Sequence, residues 1–153
     1  MPEVKSDASV QVFRVTAEVD QAIRRHGEET YPHECCGALI GTGGHATATV
    51  ALPNTTEEGP RRRFMVRPSD YRTAEQRATE LGGELLGFYH SHPDHPSRPS
   101  QTDTDAAHLG YSYVIISVQN GTVASAQSWV LNETDSEKKF YEEPLVSEQG
   151  ESK

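Results

Sequence analysis

Residues 10–15 (VQVFRV) alternate apolar and polar side chains, the period of a half-buried strand. Thr16 follows, with Glu18 and Asp20 inside the next turn, which is how a capped helix begins. The pattern continues through Ile23 until Pro32 stops it, so the first helix is predicted over about 17–30. CCGALIGT, an apolar run bounded by glycine, reads as a buried strand, with ATATVAL as its hairpin partner across Gly43-Gly44. PNTTEEGP is a loop by composition, and RRFMV after it reads as a strand. Pro68 and Ser69 open a second helix that runs from Asp70 to Leu81 and ends at Gly82-Gly83. LLGFYH then returns to strand character and places His90 at a strand end. TDAAHLG reads as a short helix, YSYVIISV as the strongest strand of the chain, and TVASAQSWVL as its partner across Asn120-Gly121.

Interleaved helices and hairpins imply an α/β (α+β) fold, a mixed sheet packed by helices in one domain over residues 1–131 with its core at about 10–131. Beyond Asn132 the composition is charged and nearly free of aromatic residues, so after one last strand 132–153 is expected to be a flexible tail. The 153 residues suffice for one core without disulfides, although a hydrophobic share of 34% with 12 Gly and 9 Pro makes that core modest.

Charge narrows the partners. With 23 acidic against 14 basic residues the formal charge is −9, which repels a nucleic-acid backbone, and only Arg61, Arg62 and Arg63 run together. Three adjacent arginines are more often a solvated loop than a docking patch. No apolar run approaches the ~18 residues of a membrane span and no basic start precedes one, so no membrane partner and a cytoplasmic location are expected. Cys35 and Cys36 are neighbours, a spacing that strains a disulfide, and read as reduced thiols.

The chemistry concentrates in GFYHSHPDHPSRPSQTD, residues 87–103. On an extended segment His90 and His92 leave the same face, so both imidazoles can reach one ion. Asp103, past a proline-rich loop, can supply a carboxylate oxygen as third ligand. Three protein ligands with an open position is the arrangement of a catalytic zinc; a structural zinc is closed by four. Against this stands a plainer reading, since His-x-His is common on surfaces and Ser100 to Asp103 also fits the pattern that caps a helix. His26, His33, His45, His95 and His108 have no spacing that ties them to the site, and Asp94 and Asp105 read as solvated or capping residues.

His90-Ser91-His92-Pro93, the seven residues from Pro93 to Pro99, then Ser100, two residues and Asp103 resemble the H-S/T-H-x7-S-x2-D signature of the JAMM (MPN+) zinc metalloproteases. Glu34 in PHECCGALIG stands where that family places a glutamate on an earlier segment. The resemblance implies a single-domain MPN fold like that of cytidine deaminases, one zinc ion held by His90, His92 and Asp103 with water as fourth ligand, and hydrolysis of an amide bond. It further implies Glu34 as general base and acid and Ser100 as hydrogen-bond donor to the oxyanion. Without the resemblance Glu34 reads as an exposed residue at a helix end, and the cysteines read as inert buried thiols before they read as nucleophiles.

The chain looks most like the stand-alone prokaryotic branch of that family, whose members are associated with small ubiquitin-like sulfur-carrier proteins ending in Gly-Gly. The implied substrate is such a carrier, its tail extended along a strand edge, with cysteine or a short peptide released. A general ubiquitin-like-protein isopeptidase and a non-catalytic MPN interaction module are the competing readings. A related DNA-repair-associated family shares a similar His-x-His…Asp motif but fits the net acidity poorly.

Overall fold

A computed structural model describes residues 12–53, 68–100, 104, 107, 110–133 and 138–148. The alternation near the start becomes β1 (Phe13–Val15), which buries Phe13 and Val15 and exposes Arg14. Thr16 then caps α1 (Ala17–Thr30), its Oγ1 accepting the Val19 N–H at 3.1 Å, and loss of such a cap costs about 1 kcal/mol. Glu18 and Asp20 sit in the first turn, where carboxylates meet the positive end of the helix dipole. CCGALIGT and ATATVAL form the antiparallel hairpin of β2 (Cys36–Thr42) and β3 (His45–Leu52). The second helix, α2, spans Pro68–Glu80.

After it come β4 (Glu84–Pro93), β5 (Ser112–Gln119) and β6 (Thr122–Glu133). β5 and β6 pair antiparallel across Asn120 and Gly121, with φ of 51° and 87°, the two left-handed residues a tight hairpin turn requires. The RRFMV strand lies outside the described residues, as does most of the TDAAHLG helix.

The segment expected as a tail carries two more strands, β7 (Lys138–Glu143) and β8 (Leu145–Ser147). β7 pairs antiparallel with β6, and its Phe140 ring meets Tyr113 edge-on at 5.5 Å. An edge strand needs one packed anchor, here the partly buried Phe140, more than an apolar composition, which is why charge content misled here.

The strand order is β7-β6-β5-β4-β2-β3-β1-β8, with parallel pairs at β4–β5, β1–β3 and β1–β8. β7 and β8 stand at opposite edges yet only Pro144 separates them, and its carbonyl accepts the Phe13 N–H at 2.9 Å. The sheet therefore curls until its edges approach. α1 touches β1, β3, β4, β5 and β6 and fills the inside of the curl, burying Val19, Ile23 and Gly27 against Val114, Ile116 and Val118. α2 packs outside, where Asp70, Ala74 and Ala78 form its buried stripe and Tyr71 meets Phe88 at 5.0 Å between ring centroids. Large side chains buried this fully, Phe88 and Ile115 among them, each contribute about 1.5–3 kcal/mol. The result is a mixed sheet between two helices, a single-domain α+β arrangement.

The fit is tight where β2 crosses β4. Tyr89 is buried on the α1 side, its hydroxyl 2.7 Å from His26 Nδ1, and a methyl added at Gly37 would overlap its ring. Gly37→Ala is expected to destabilise by about 1–3 kcal/mol through overpacking, read as a Tm lowered by about 2–4 °C per kcal/mol. An unchanged Tm would mean that the Tyr89 ring is free to move aside.

Candidate active site

β4 carries His90 and His92 on the outer face of the sheet, 1% and 8% exposed, with Ser91 between them facing inward. In register, His90 lies opposite Cys36 of β2 and Ile115 of β5, and His92 opposite Ser117. The two Nε2 atoms converge to 3.2 Å. His92 Nδ1 lies 2.8 Å from the Pro96 carbonyl oxygen, which can only accept, so Nδ1 carries the proton and Nε2 of the neutral ring offers its lone pair. Two imidazole nitrogens bound to one tetrahedral zinc at about 2.0–2.1 Å would stand about 3.3 Å apart, so this pair fits such an ion. Among the described residues no group of three His, Cys, Asp or Glu gathers around a common point; Asp103, the expected third ligand, lies outside them.

Ser91, which the sequence reading left without a role, ties this strand to the one before it. Its Oγ accepts the Cys35 N–H at 2.8 Å and its own N–H donates to the Cys35 carbonyl at 3.1 Å. Continuing the Cys36–His90 register by two residues sets Glu34 level with His92, on the face the histidines share. Glu34 Oε1 and His90 Nδ1 are both buried, so this carboxylate is not the exposed helix-end residue that its local sequence suggests. Asp70, from the first turn of α2, is a further buried carboxylate on that side. A period-2 reading of His-Ser-His, with the middle residue assigned to the opposite face, is the signal that could have marked Ser91.

Beyond Pro93 the chain is turned by Asp94 at a left-handed φ of 59°. Its N–H donates to the Val118 carbonyl at 2.7 Å, Oδ1 accepts the Asn120 N–H at 2.9 Å and Oδ2 accepts the Tyr31 hydroxyl at 2.7 Å. Asp94 is exposed, as expected, and its carboxylate caps a backbone N–H while anchoring the loop. Ser100 is exposed, and its carbonyl accepts the Thr104 N–H at 3.0 Å. His26 faces Tyr89 inside the curl and His45 pairs with Glu148 at 3.0 Å, both apart from the His90–His92 pair; His33 and His95 are exposed, and His108 lies outside the described residues. A cavity of about 510 Å³ opens towards the opposite end of β4, lined among others by Phe13, Leu86, Tyr111 and Glu143, and includes none of the candidate residues.

The two thiols are free and buried. Burial pushes Cys35 up to about 11, partly opposed by its hydrogen bond with Ser91. Burial pushes Cys36 up to about 12, with smaller contributions from Cys35, Asp70 and Glu34. A thiol raised this far is protonated at neutral pH and makes a poor nucleophile.

The arrangement is that of an MPN-type domain with a histidine pair on an inner strand, and comparison with known proteins places it more closely. The family described as prokaryotic homologs of the JAB domain matches residues 16–132, and the chain belongs to that family. A curated relative, the desampylase of Haloferax volcanii, is 37% identical over 89 residues, 56% of this chain and 63% of the relative, so the match spans less than two thirds of that protein's length. A solution structure from Salinibacter ruber is 38% identical with a TM-score of 0.67, covering 91% of this chain and 94% of the other. The crystal structure of a JAB1/MPN domain protein from Archaeoglobus fulgidus shares the fold, with a TM-score of 0.57 at 17% identity over 89% of this chain and 99% of the other.

The thiol environments generate a direct expectation. Iodoacetamide at pH 8 should leave Cys35 and Cys36 unmodified in the folded protein and alkylate both in denaturant, as read by intact mass. Rapid alkylation of the folded protein would contradict the burial of both side chains.

Proposed function

We propose that the protein is a zinc-dependent hydrolase that cleaves an amide bond at the C-terminal Gly-Gly tail of a small ubiquitin-like sulfur-carrier protein, releasing cysteine or a short peptide. The observation that carries this reading is the convergence of His90 and His92 Nε2 at 3.2 Å; continuing the β2–β4 register two residues past Cys36 supports Glu34 as their neighbour. In the proposal His90, His92 and Asp103 hold the ion. When bound, zinc supplies Lewis acidity and lowers the pKa of its water to about 7. Glu34 takes the proton of the attacking water as the C–O bond forms and gives it to the amine nitrogen, so that the C–N bond breaks when the tetrahedral intermediate collapses. Ser100 donates a hydrogen bond to the oxygen of the tetrahedral intermediate, a contact whose loss costs about 10²–10³ in rate. The Pro96 carbonyl keeps the proton on His92 Nδ1, and the buried, protonated thiols stay out of the reaction.

A second reading has its own support. The name of the Haloferax volcanii relative denotes removal of a conjugated modifier, which favours isopeptide hydrolysis at a ubiquitin-like protein. The chemistry at Glu34 and the histidines is the same in both readings; only the acyl donor's leaving group differs.

His92→Ala should abolish tight zinc binding, measured as metal per chain after dialysis; equal zinc in variant and wild type would remove His92 from the site. Glu34→Gln should keep zinc and fold while kcat falls by about 10²–10⁴. Its assay pairs a carrier protein bearing cysteine on its terminal glycine with a ubiquitin-like isopeptide at matched concentration. Preference for the first supports the carrier reading, preference for the second the isopeptidase reading, and wild-type turnover of either by the Gln variant would exclude Glu34 as the base.

A further inference from the structure

The loop after His92 is fastened to β6 through a single serine. Ser125, Gln127 and Trp129 are alternate residues of β6 and leave the same outer face, in rows with Ser117, Ile115 and Tyr113 of β5 and, beyond these, with His92, His90 and Phe88 of β4. All three reach Ser97, which is 1% exposed. Ser97 Oγ donates to Gln127 Oε1 at 2.7 Å, which uses its only proton, so Ser125 must be the donor in the 2.8 Å contact between the two hydroxyls. The amide of Gln127 is itself oriented, because its Nε2 donates to Glu142 Oε2 of β7 at 2.9 Å. On the other side of the residue, Trp129 Nε1 donates to the Ser97 carbonyl at 3.0 Å.

Pro96 and Ser97 share a peptide plane. The Pro96 carbonyl that accepts from His92 Nδ1 belongs to that plane, so a residue held at both its hydroxyl and its carbonyl sets the direction of this oxygen. We infer that Ser97, gripped by Ser125, Gln127 and Trp129, is a positioning residue that fixes the tautomer and orientation of His92 through the Pro96 carbonyl. The inference rests on His92 being a zinc ligand, as proposed above. It assigns a purpose to a set of polar groups that is otherwise costly to bury, and it makes β6, which contributes no ligand, part of the metal site.

The test is zinc affinity by competition with a chromophoric chelator, at 25 °C, for wild type, Ser97→Ala, Trp129→Phe, Ser128→Ala and His92→Ala. Trp129→Phe keeps an aromatic ring while removing the indole donor, and so covers the case in which Ser97→Ala fails to fold, with Ser128→Ala controlling for the loss of packing. Ser128 is the control: it is fully buried on the same strand but on the inner face, with its Oγ donating to Glu143 at 2.7 Å. Ser97→Ala and Trp129→Phe should weaken zinc binding about 10–100-fold, the usual effect of losing an outer partner of a ligand. Ser128→Ala should lower Tm and leave affinity unchanged. Wild-type affinity in Ser97→Ala and Trp129→Phe, with binding lost in His92→Ala, would refute the brace and leave the ligand assignment standing. An equal loss in Ser128→Ala would also refute it, reducing the effect to general loosening. Retained affinity in His92→Ala would overturn the ligand reading and this inference with it.

Discussion

The pairing of β2 with β4 is the constraint on which the site depends. Because side chains alternate along a strand, placing Ser91 inward forces His90 and His92 outward, and a slip of one residue would invert all three. Ser91 works against such a slip by holding Cys35 through both its hydroxyl and its own N–H. The same bonds fix where Glu34 emerges, one residue before Cys35. A carboxylate and two imidazoles from segments more than fifty residues apart are thereby set on one face, with Ser91 and Cys35 supplying the link. Tyr89 adds to this on the inner side, where its ring occupies the space left by Gly37.

Two environments follow from the two faces. Inside the curl, α1 and apolar residues of β1, β3 and β5 exclude water, and the His26–Tyr89 pair satisfies its polar atoms internally; burial lowers His26 and raises Tyr89, so the ring accepts and the phenol donates. Outside, α2 brings Asp70 close to the edge of a region already containing Glu34 and the histidines. Cys36 belongs to that outer face and still stays a thiol, because burial and nearby carboxylates both oppose its ionisation. Carboxylate and imidazole groups, and not a thiolate, are therefore the groups available on that face, a set that suits a borderline cation such as zinc.

Local signals were legible where local physics decides. Thr16 and Pro32 bound the first helix, Gly82-Gly83 ended the second, and Asn120-Gly121 marked a hairpin, each through backbone preferences of the residues themselves. The His-x-His spacing yielded a shared face for the same reason. What escaped is non-local. Ser97 meets Gln127 thirty residues away and Asp94 meets Tyr31 sixty-three residues away, and no periodicity announces either. β7 and β8 were hidden by charged neighbours, since their pairing is dictated by Phe140 and by the closure of the sheet at Pro144. Glu34 was selected only by resemblance to a family, because a carboxylate preceding a buried strand has no distinguishing pattern until the strand's partner is known.

X-ray absorption at the zinc edge of the metal-loaded protein tests the central claim most directly, since it reads the ligand types without reference to activity. The expected result is a low-coordinate zinc with two imidazole nitrogens at about 2.0–2.1 Å, the remaining scatterers being oxygen. A sulfur shell at about 2.3 Å, or a single imidazole, would contradict it, because either would mean that the alternation of β4 does not deliver both histidines to one ion.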